Sequence, residues 1–169
     1  MSYIQNNLLK NEKIIYFTRI HWIIFGFPVF LLVLTFILSV YSQRLFPGYL
    51  PLSNVRLAAV VILILLLAAI FSGISAFIRY ATSEYGITTK RVLIKTGWIS
   101  RDSLELFLDK VEAIYVDQSI LGRILDYGTL RVVGTGGTQD PFFYIPRPLE
   151  FRKIAQEQID IEEHPNTRL

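Results

Sequence analysis

The sequence predicts an α+β protein in which a two-helix transmembrane hairpin is followed by an antiparallel β-sandwich or barrel, capped by a C-terminal helix. Three observations lead to this prediction. Residues 57–78 form an uncharged run of 22 residues, and residues 20–41 form a second apolar run. From Ser83 onward apolar residues recur with a period of two, as in half-buried strands, until a helical period begins after Pro148.

The composition is that of a membrane protein with a near-neutral soluble part. Of the 169 residues 52% are hydrophobic, and the mean hydropathy is +0.43. Residues 1–78 carry five basic residues and one acid, whereas residues 79–169 carry twelve basic and thirteen acidic residues. A nucleic-acid-binding domain concentrates basic charge on its own surface, so we expect no nucleic-acid partner. The absence of cysteine excludes disulfides, thiolate catalysis and cysteine-ligated metal.

The chain before the first apolar run is mixed in character. In residues 1–19 the spacing of Ile4, Leu8 and Ile15 predicts a weak amphipathic segment, or a helix–strand pair, with its apolar face in the membrane interface. A poorly ordered lead-in is the alternative. The segment is too polar for a signal peptide, and the apolar run that follows it is too long.

Residues 20–41 and 57–78 are predicted to be two membrane spans. As a helix the second would be about 33 Å long, enough for a hydrocarbon core of about 30 Å. Trp22 and Tyr41 lie at the two ends of the first span, where amphipathic aromatic side chains favour the headgroup layer. The short loop of residues 42–56 makes the two spans an antiparallel hairpin.

The orientation follows from the basic residues that flank the spans. Three precede the first span, four lie within residues 79–95, and two lie in the connecting loop. Since basic flanks stay in the cytoplasm, we expect both termini there, together with a domain of residues 79–163 and a solvated tail of residues 164–169.

A row of small residues recurs every four positions in the second span, at Ala68, Ser72 and Ala76, with Ala69 and Gly73 beside it. Such a row lets another helix approach closely. Packing against the first span is the favoured interpretation, and an oligomer interface is the alternative.

The soluble part is predicted to hold six or seven antiparallel strands and one helix. A tight turn at Thr88–Arg91 separates the first two strands. A clear alternation over residues 104–109 continues through Tyr115 as one extended strand. Residues 128–134 and 142–145 are further strands, and the amphipathic C-terminal helix follows them.

One basic concentration lies near the second span, and lipid contact is one interpretation of it. Lys90 and Arg91 would attract anionic headgroups if they lay near the surface, although they can equally serve topology and solubility. If the first strand runs along the membrane normal, however, their turn lies about 20 Å from the headgroups, beyond a Debye length of about 8 Å. Trp98 and Arg101 would then lie nearest the bilayer, and a sheet lying flat would reverse this order.

The sequence offers no catalytic set, so we expect no enzyme activity, no cofactor and no metal. His21 and His164 lie far apart, and the carboxylates are scattered along strands and turns. The run Gly134–Gly137 lacks the lysine and the following helix of a phosphate-binding loop, and it predicts a hairpin turn instead.

Four stretches of the soluble part carry a family resemblance. They are Tyr85–Gly97, Leu108–Glu112, Asp117–Ser119 and Gly122–Val132. Over about residues 10–160 the chain resembles the small membrane-anchored bacterial family with a pleckstrin-homology-like domain, in which two spans precede a cytoplasmic domain. The run from Gln118 to Gly128 is the most specific part.

The resemblance implies a pleckstrin-homology-like fold of seven strands in two near-orthogonal sheets, closed by the C-terminal helix, in the bacterial cytoplasmic (inner) membrane. It implies no catalytic residue and no agreed ligand. Two turn positions depart from the family pattern, since Thr89 stands where the family usually has Asp or Asn, and Asp126 where a Gly often precedes the Tyr-Gly pair.

The leading hypothesis is a non-enzymatic, membrane-anchored adaptor whose domain binds a protein partner or copies of itself. Its candidate contacts are Trp98, Tyr115, Ile120 and Phe142. The alternative is a module that binds anionic lipid headgroups or a small ligand through Trp98, Arg101, Lys90 and Arg91. A transporter or channel subunit is disfavoured, because two spans without interior charge offer no ion path unless many copies assemble.

Overall fold

The computed structural model describes residues 3–45, 52–97, 102–135, 137 and 139–164. The chain divides into two units, one of Met1–His21 with Arg79–Leu169 and the other of Trp22–Ile78. Two antiparallel sheets and two long apolar helices confirm the α+β class.

The unit Trp22–Ile78 contains a 3-10 turn, Trp22–Phe25, and the helix α2 (Gly26–Leu45) that continues from it. It also contains most of α3 (Leu52–Thr82), whose last turn belongs to the other unit. A first short helix, α1 (Tyr3–Asn6), belongs to the other unit. The segments Trp22–Ser42 and Leu57–Thr82 are long and apolar enough to cross a membrane, and most of their side chains are exposed.

The small residues of α3 lie partly against α2. Ala69 and Ala76 are buried, as is Thr35 of α2, and a Cβ added at Gly73 would lie 3.9 Å from the Cβ of Pro28. Ser72 is half-buried and donates a hydrogen bond to the Ala69 carbonyl, whereas Ala68 is exposed. Of the predicted row, Ala76 is therefore buried and Ala68 is not, and the buried residue nearest to Ala68 is its neighbour Ala69.

The other unit contains a four-stranded and a three-stranded antiparallel sheet. The first has the order β1 (Ile14–Arg19), β2 (Glu84–Thr88), β3 (Arg91–Thr96) and β4 (Asp102–Phe107). The second has the order β5 (Val111–Asp117), β6 (Tyr127–Gly134) and β7 (Gln139–Pro146).

The long strand predicted through Tyr115 is divided in the structure. A 3-10 turn, Leu108–Lys110, follows β4 and buries the Leu108 side chain. The turn lets β5 join the three-stranded sheet instead of continuing the first. The predicted apolar row changes phase across the turn, from positions 104, 106 and 108 to positions 111, 113 and 115, and this shift marks the break that the prediction of one strand passed over.

The predicted C-terminal helix is confirmed as α5 (Pro148–Glu163), with Pro148 at its first turn, where the missing N–H costs no hydrogen bond. Phe151 and Ala155 are fully buried. The Phe151 ring meets the Tyr16 ring edge-on, with centroids 5.8 Å apart. Since α5 also contacts β5 and β6, it joins the two sheets into one core.

Residues 1–19, predicted as an interfacial lead-in, form the helix–strand pair that the sequence allowed and belong to the sheet-containing unit. Residues Ile14–Arg19 form an edge strand that pairs with β2, from Ile14 opposite Thr88 to Arg19 opposite Glu84. The Ile4 side chain is fully buried in the same unit. Both apolar helices are thus inserted between two paired strands. We call the end of the unit where the chain leaves and returns, marked by Arg19, His21 and Glu84, the exit end.

Candidate functional site

Arg91, a predicted lipid contact, is instead the centre of a buried ion cluster. Its side chain is 6% exposed, and its Nε lies 2.9 Å from Oε1 of Glu12, whose side chain is fully buried. Its Nη1 lies 2.5 Å from Oε2 of Glu105. Its Nη2 donates to Oε2 of Glu12 at 3.0 Å and to the Asn7 carbonyl at 2.7 Å. The guanidinium is therefore engaged and closed to a headgroup.

Glu12 is held by two further donors. The Leu9 N–H donates to its Oε2 at 2.6 Å, and the Thr88 hydroxyl donates to its Oε1 at 2.7 Å. Burial acts to raise the pKa of Glu12, but the hydrogen bonds from Arg91, Leu9 and Thr88 outweigh it and lower the pKa below 4.5. Glu12 is therefore ionised in the folded protein, and its bonds to Thr88 and Arg91 connect the N-terminal segment to the Thr88–Arg91 turn.

The pKa of Glu12 predicts a loss of stability in acid. A carboxylate with a lowered pKa contributes stability above its unfolded pKa of about 4.5, and the contribution is lost as pH falls through the lower folded value. We expect the melting temperature of the full chain in detergent to fall below about pH 4.5 more steeply than that of Glu12→Gln. Parallel pH profiles of the two proteins would contradict this.

The other predicted lipid contacts have different positions. Lys90 is half-buried in the turn at the end of β2 opposite the exit end, and its Nζ lies 3.4 Å from the Lys10 carbonyl. Trp98 and Arg101 lie outside the described residues. Of the four candidates the structure thus describes only Lys90 and Arg91.

The predicted partner contacts divide into two exposed side chains and one core side chain. Tyr115 is 54% exposed and Ile120 is 80% exposed, but Phe142 is 8% exposed and packs in the core. Its neighbour Phe143, at 55% exposure, takes the outward position instead. Alternation along β7 places successive side chains on opposite faces, so the predicted strand was right and the chosen face was wrong.

Tyr115, Arg131 and Phe143 share one face of the three-stranded sheet, which we call the outer face. Tyr115 lies opposite Arg131 across β5 and β6, and Arg131 lies opposite Pro141 of β7. β7 bulges just beyond Phe142, where its register with β6 shifts. Phe142 faces the core there, and Phe143 is exposed on the other side, which is that of Arg131. The outer face therefore carries two exposed aromatic rings and a cation.

Arg131 is fixed on this face but is not fully bonded. Its Nη2 donates to Oδ2 of Asp117 at 2.6 Å, and its guanidinium carbon lies 6.0 Å from the centroid of the Tyr115 ring. Its Nε is buried without a hydrogen-bond partner, the one such side-chain atom found among the described residues. The side chain as a whole is 42% exposed, so the rest of the guanidinium is open to an acceptor from another molecule.

The run from Gln118 to Gly128 folds as a short helix, α4 (Ile120–Ile124), with a tight return. The Ser119 hydroxyl accepts the Gly122 N–H at 3.1 Å and caps α4. The Gln118 amide donates to the Tyr127 carbonyl at 3.1 Å. Asp126 has a φ of 55°, in the left-handed region that favours glycine, which explains why the resembled family often has Gly at this position. The most specific motif thus builds a fixed support for α4, which the sequence analysis did not predict.

Gly122 allows this close return. A Cβ at this position would lie 2.6 Å from the Tyr127 carbonyl oxygen, which the backbone holds in place. We expect Gly122→Ala to destabilise the domain by about 1–3 kcal/mol, as overpacking does, and to lower its melting temperature. Arg123→Ala, an exposed change on the same helix, is the control. Equal melting temperatures for the two variants would contradict the contact.

Within the described ranges no group of three or more metal-ligating side chains comes together. The family model described as "Bacterial PH domain" matches residues 29–159. No curated protein and no solved structure matches the chain. The matched region begins inside the first apolar helix, so β1 and the Glu12 carboxylate lie before it.

Proposed function

This chain belongs to the bacterial PH domain family, and from that premise we propose that it is a non-enzymatic, membrane-anchored adaptor. Its sheet-containing domain offers the outer face to a protein partner or to a second copy of itself. The observation that carries the proposal is the exposure of Tyr115, Phe143 and Arg131 on one face of the three-stranded sheet.

Membrane anchoring is supported by the two apolar helices and by the connection between them and the domain. The segments Trp22–Ser42 and Leu57–Thr82 have mean hydropathies of 2.7 and 3.0. They begin and end at neighbouring strands, since Arg19 pairs with Glu84. A chain that crosses twice returns to the same side, and the basic flanks favour the cytoplasmic face of the bacterial inner membrane. The domain is then tethered at two adjacent points.

The outer face has the composition of a protein-binding surface. Tyrosine, phenylalanine and arginine are enriched in the cores of protein–protein interfaces, where water is excluded. Arg131 is held by Asp117 and by the Tyr115 ring, so little side-chain freedom would be lost on binding. A partner with a carboxylate or carbonyl oxygen that meets the exposed part of the Arg131 guanidinium is the best fit.

Lipid headgroup or small-ligand binding remains the alternative function, and the geometry supports it less. Of its four candidate residues, Arg91 is buried in an ion cluster and Lys90 lies opposite the exit end. Trp98 and Arg101 remain as candidates outside the described residues.

Site-specific photo-crosslinking in intact membranes tests the adaptor proposal. A photoreactive phenylalanine at Phe143 is expected to give a discrete adduct, whereas the same group at the exposed Glu157 of α5 gives none. The adduct should weaken in Arg131→Ala and Tyr115→Ala, and its mass distinguishes a second copy from another protein. The proposal would be refuted if only uncrosslinked monomer were found with the photoreactive group at either position. It would also be refuted if the yield of the adduct were unchanged by both Arg131→Ala and Tyr115→Ala. If the photoreactive group gave adducts with anionic lipid and none with protein, the lipid-binding function would be favoured instead.

A further inference from the structure

Helix α4 presents an apolar surface that the adaptor proposal does not use. Ile120, Leu121 and Ile124 are 80%, 63% and 71% exposed, in a helix of only five residues. Arg123 is exposed between them. Three neighbouring large apolar side chains on so short an element form a patch rather than the scattered apolar residues of an ordinary surface.

The contacts of His21 place α4 at the exit end. The His21 imidazole hydrogen-bonds the backbone of Leu125, the residue that follows α4. The His21 backbone N–H donates to the Tyr144 carbonyl at 2.7 Å. The His21 ring lies 5.4 Å from the Tyr127 ring, which lies 6.1 Å from the Tyr144 ring.

The position of His21 in the chain brings these groups to the membrane boundary. The first apolar segment begins at Trp22, the next residue, and consecutive Cα atoms are about 3.8 Å apart. Leu125 is in contact with His21, and α4 is only about 8 Å long, so its apolar side chains lie within reach of the headgroup layer. The placement of α4 depends only on the chain connection between His21 and Trp22 and on the contacts of His21 inside the domain.

We propose that α4 lies in the interfacial layer of the membrane that the two helices cross, with Ile120, Leu121 and Ile124 among the upper acyl chains and Arg123 at the phosphates. The inference rests on the proposed membrane anchoring. It assigns Ile120, predicted as a protein contact, to the lipid, and it gives the motif from Gln118 to Gly128 the role of holding α4 there.

The chemistry around α4 favours a lipid surface over a protein partner. Apolar side chains with an interspersed cation are typical of segments that lie in the interface. Tyrosines and other amphipathic rings concentrate at the same depth, and Tyr127 and Tyr144 stand beside His21. A bilayer is already present there because the chain itself enters it one residue away.

The test uses the full chain, which contains no native cysteine. Single cysteines are introduced by Ile124→Cys and Leu121→Cys and labelled with a polarity-sensitive fluorophore in nanodiscs of phosphatidylcholine and phosphatidylglycerol. Phe71→Cys, in α3 at 75% exposure, reports the bilayer core, and Ile161→Cys, in α5 at 43% exposure, reports an apolar position away from α4. Lipids brominated near the headgroup quench labels at interfacial depth.

We expect blue-shifted emission and quenching by the shallow brominated lipid at residues 121 and 124, but neither effect at residue 161. Water-like emission at 121 and 124 with lipid quenching at 71 would overturn the inference and leave the anchoring intact. Water-like emission at 71 as well would overturn both. Shielding of 121 and 124 from aqueous iodide without lipid quenching would mean that another protein surface covers α4, which also overturns the inference.

Discussion

Arg91→Met is expected to destabilise the domain by about 3–5 kcal/mol, because it leaves a buried carboxylate without its counter-ion. The Glu12 side chain is fully buried, and Arg91 supplies both of its charged hydrogen bonds. For a domain of about 100 residues this loss lowers the melting temperature by about 12 °C or more. Thermal unfolding of the full chain in a mild detergent, followed by circular dichroism, measures it.

Two variants separate the ion pair from a general effect of the turn. Lys90→Met changes the neighbouring cation, which makes a single contact with a backbone carbonyl, and should shift the melting temperature little. Adding Glu12→Gln to Arg91→Met should recover part of the loss, since the buried charge is removed with its partner. A cost for Arg91→Met no larger than that of Lys90→Met would show that the cluster does not stabilise the fold.

The second large effect is expected from the N-terminal strand. A variant that joins residues 3–21 to residues 83–164 through a linker of about four Gly and Ser residues should be soluble, monomeric and folded, because Arg19 and Glu84 are paired neighbours. The fragment of residues 83–164 alone should fail to fold. It lacks β1, which covers the β2 edge, and it leaves Arg91 without Glu12.

Amide exchange and size-exclusion chromatography of the two proteins distinguish the outcomes. Slow exchange in β2 is expected only when β1 is present, since β1 shields one side of that strand. A stable, monomeric fragment of residues 83–164 would show that β1 is dispensable. It would also remove the argument that the apolar helices are an insertion within the domain rather than a leader before it.

The sequence predicted most of the local elements but not the pairing of the first strand. The turn at Thr88–Arg91, the strand around residues 128–134 and the helix after Pro148 each have a local signal, and the structure contains them. Pairing of β1 with β2 brings together residues on the two sides of the apolar helices. A periodicity carries no information about so distant a partner, so residues 14–19 resembled a lead-in.

The same limit explains the site predictions. Arg91 resembled a surface cation because its turn is polar. The carboxylate that pairs with it belongs to Glu12, which precedes the first apolar helix and is therefore distant in sequence. Phe142, a predicted contact, faces the core, because alternation shows that two neighbours face opposite ways but not which of them faces the core. Tyr115 is exposed and stays a predicted contact, and its neighbour Arg131 could be found only from the sheet register.

The most direct test of the central claim, a double-spanning anchor inserted between two strands of one domain, is cysteine accessibility in sealed membrane vesicles of both orientations. Single cysteines replace Asn6, Glu157 and Gly48 in the otherwise cysteine-free chain, and a membrane-impermeant maleimide is added. The account predicts that residues 6 and 157 react from the cytoplasmic side only and residue 48 from the opposite side only. Reaction of residues 6 and 157 from opposite sides, or of residue 48 from the same side as both, would contradict it.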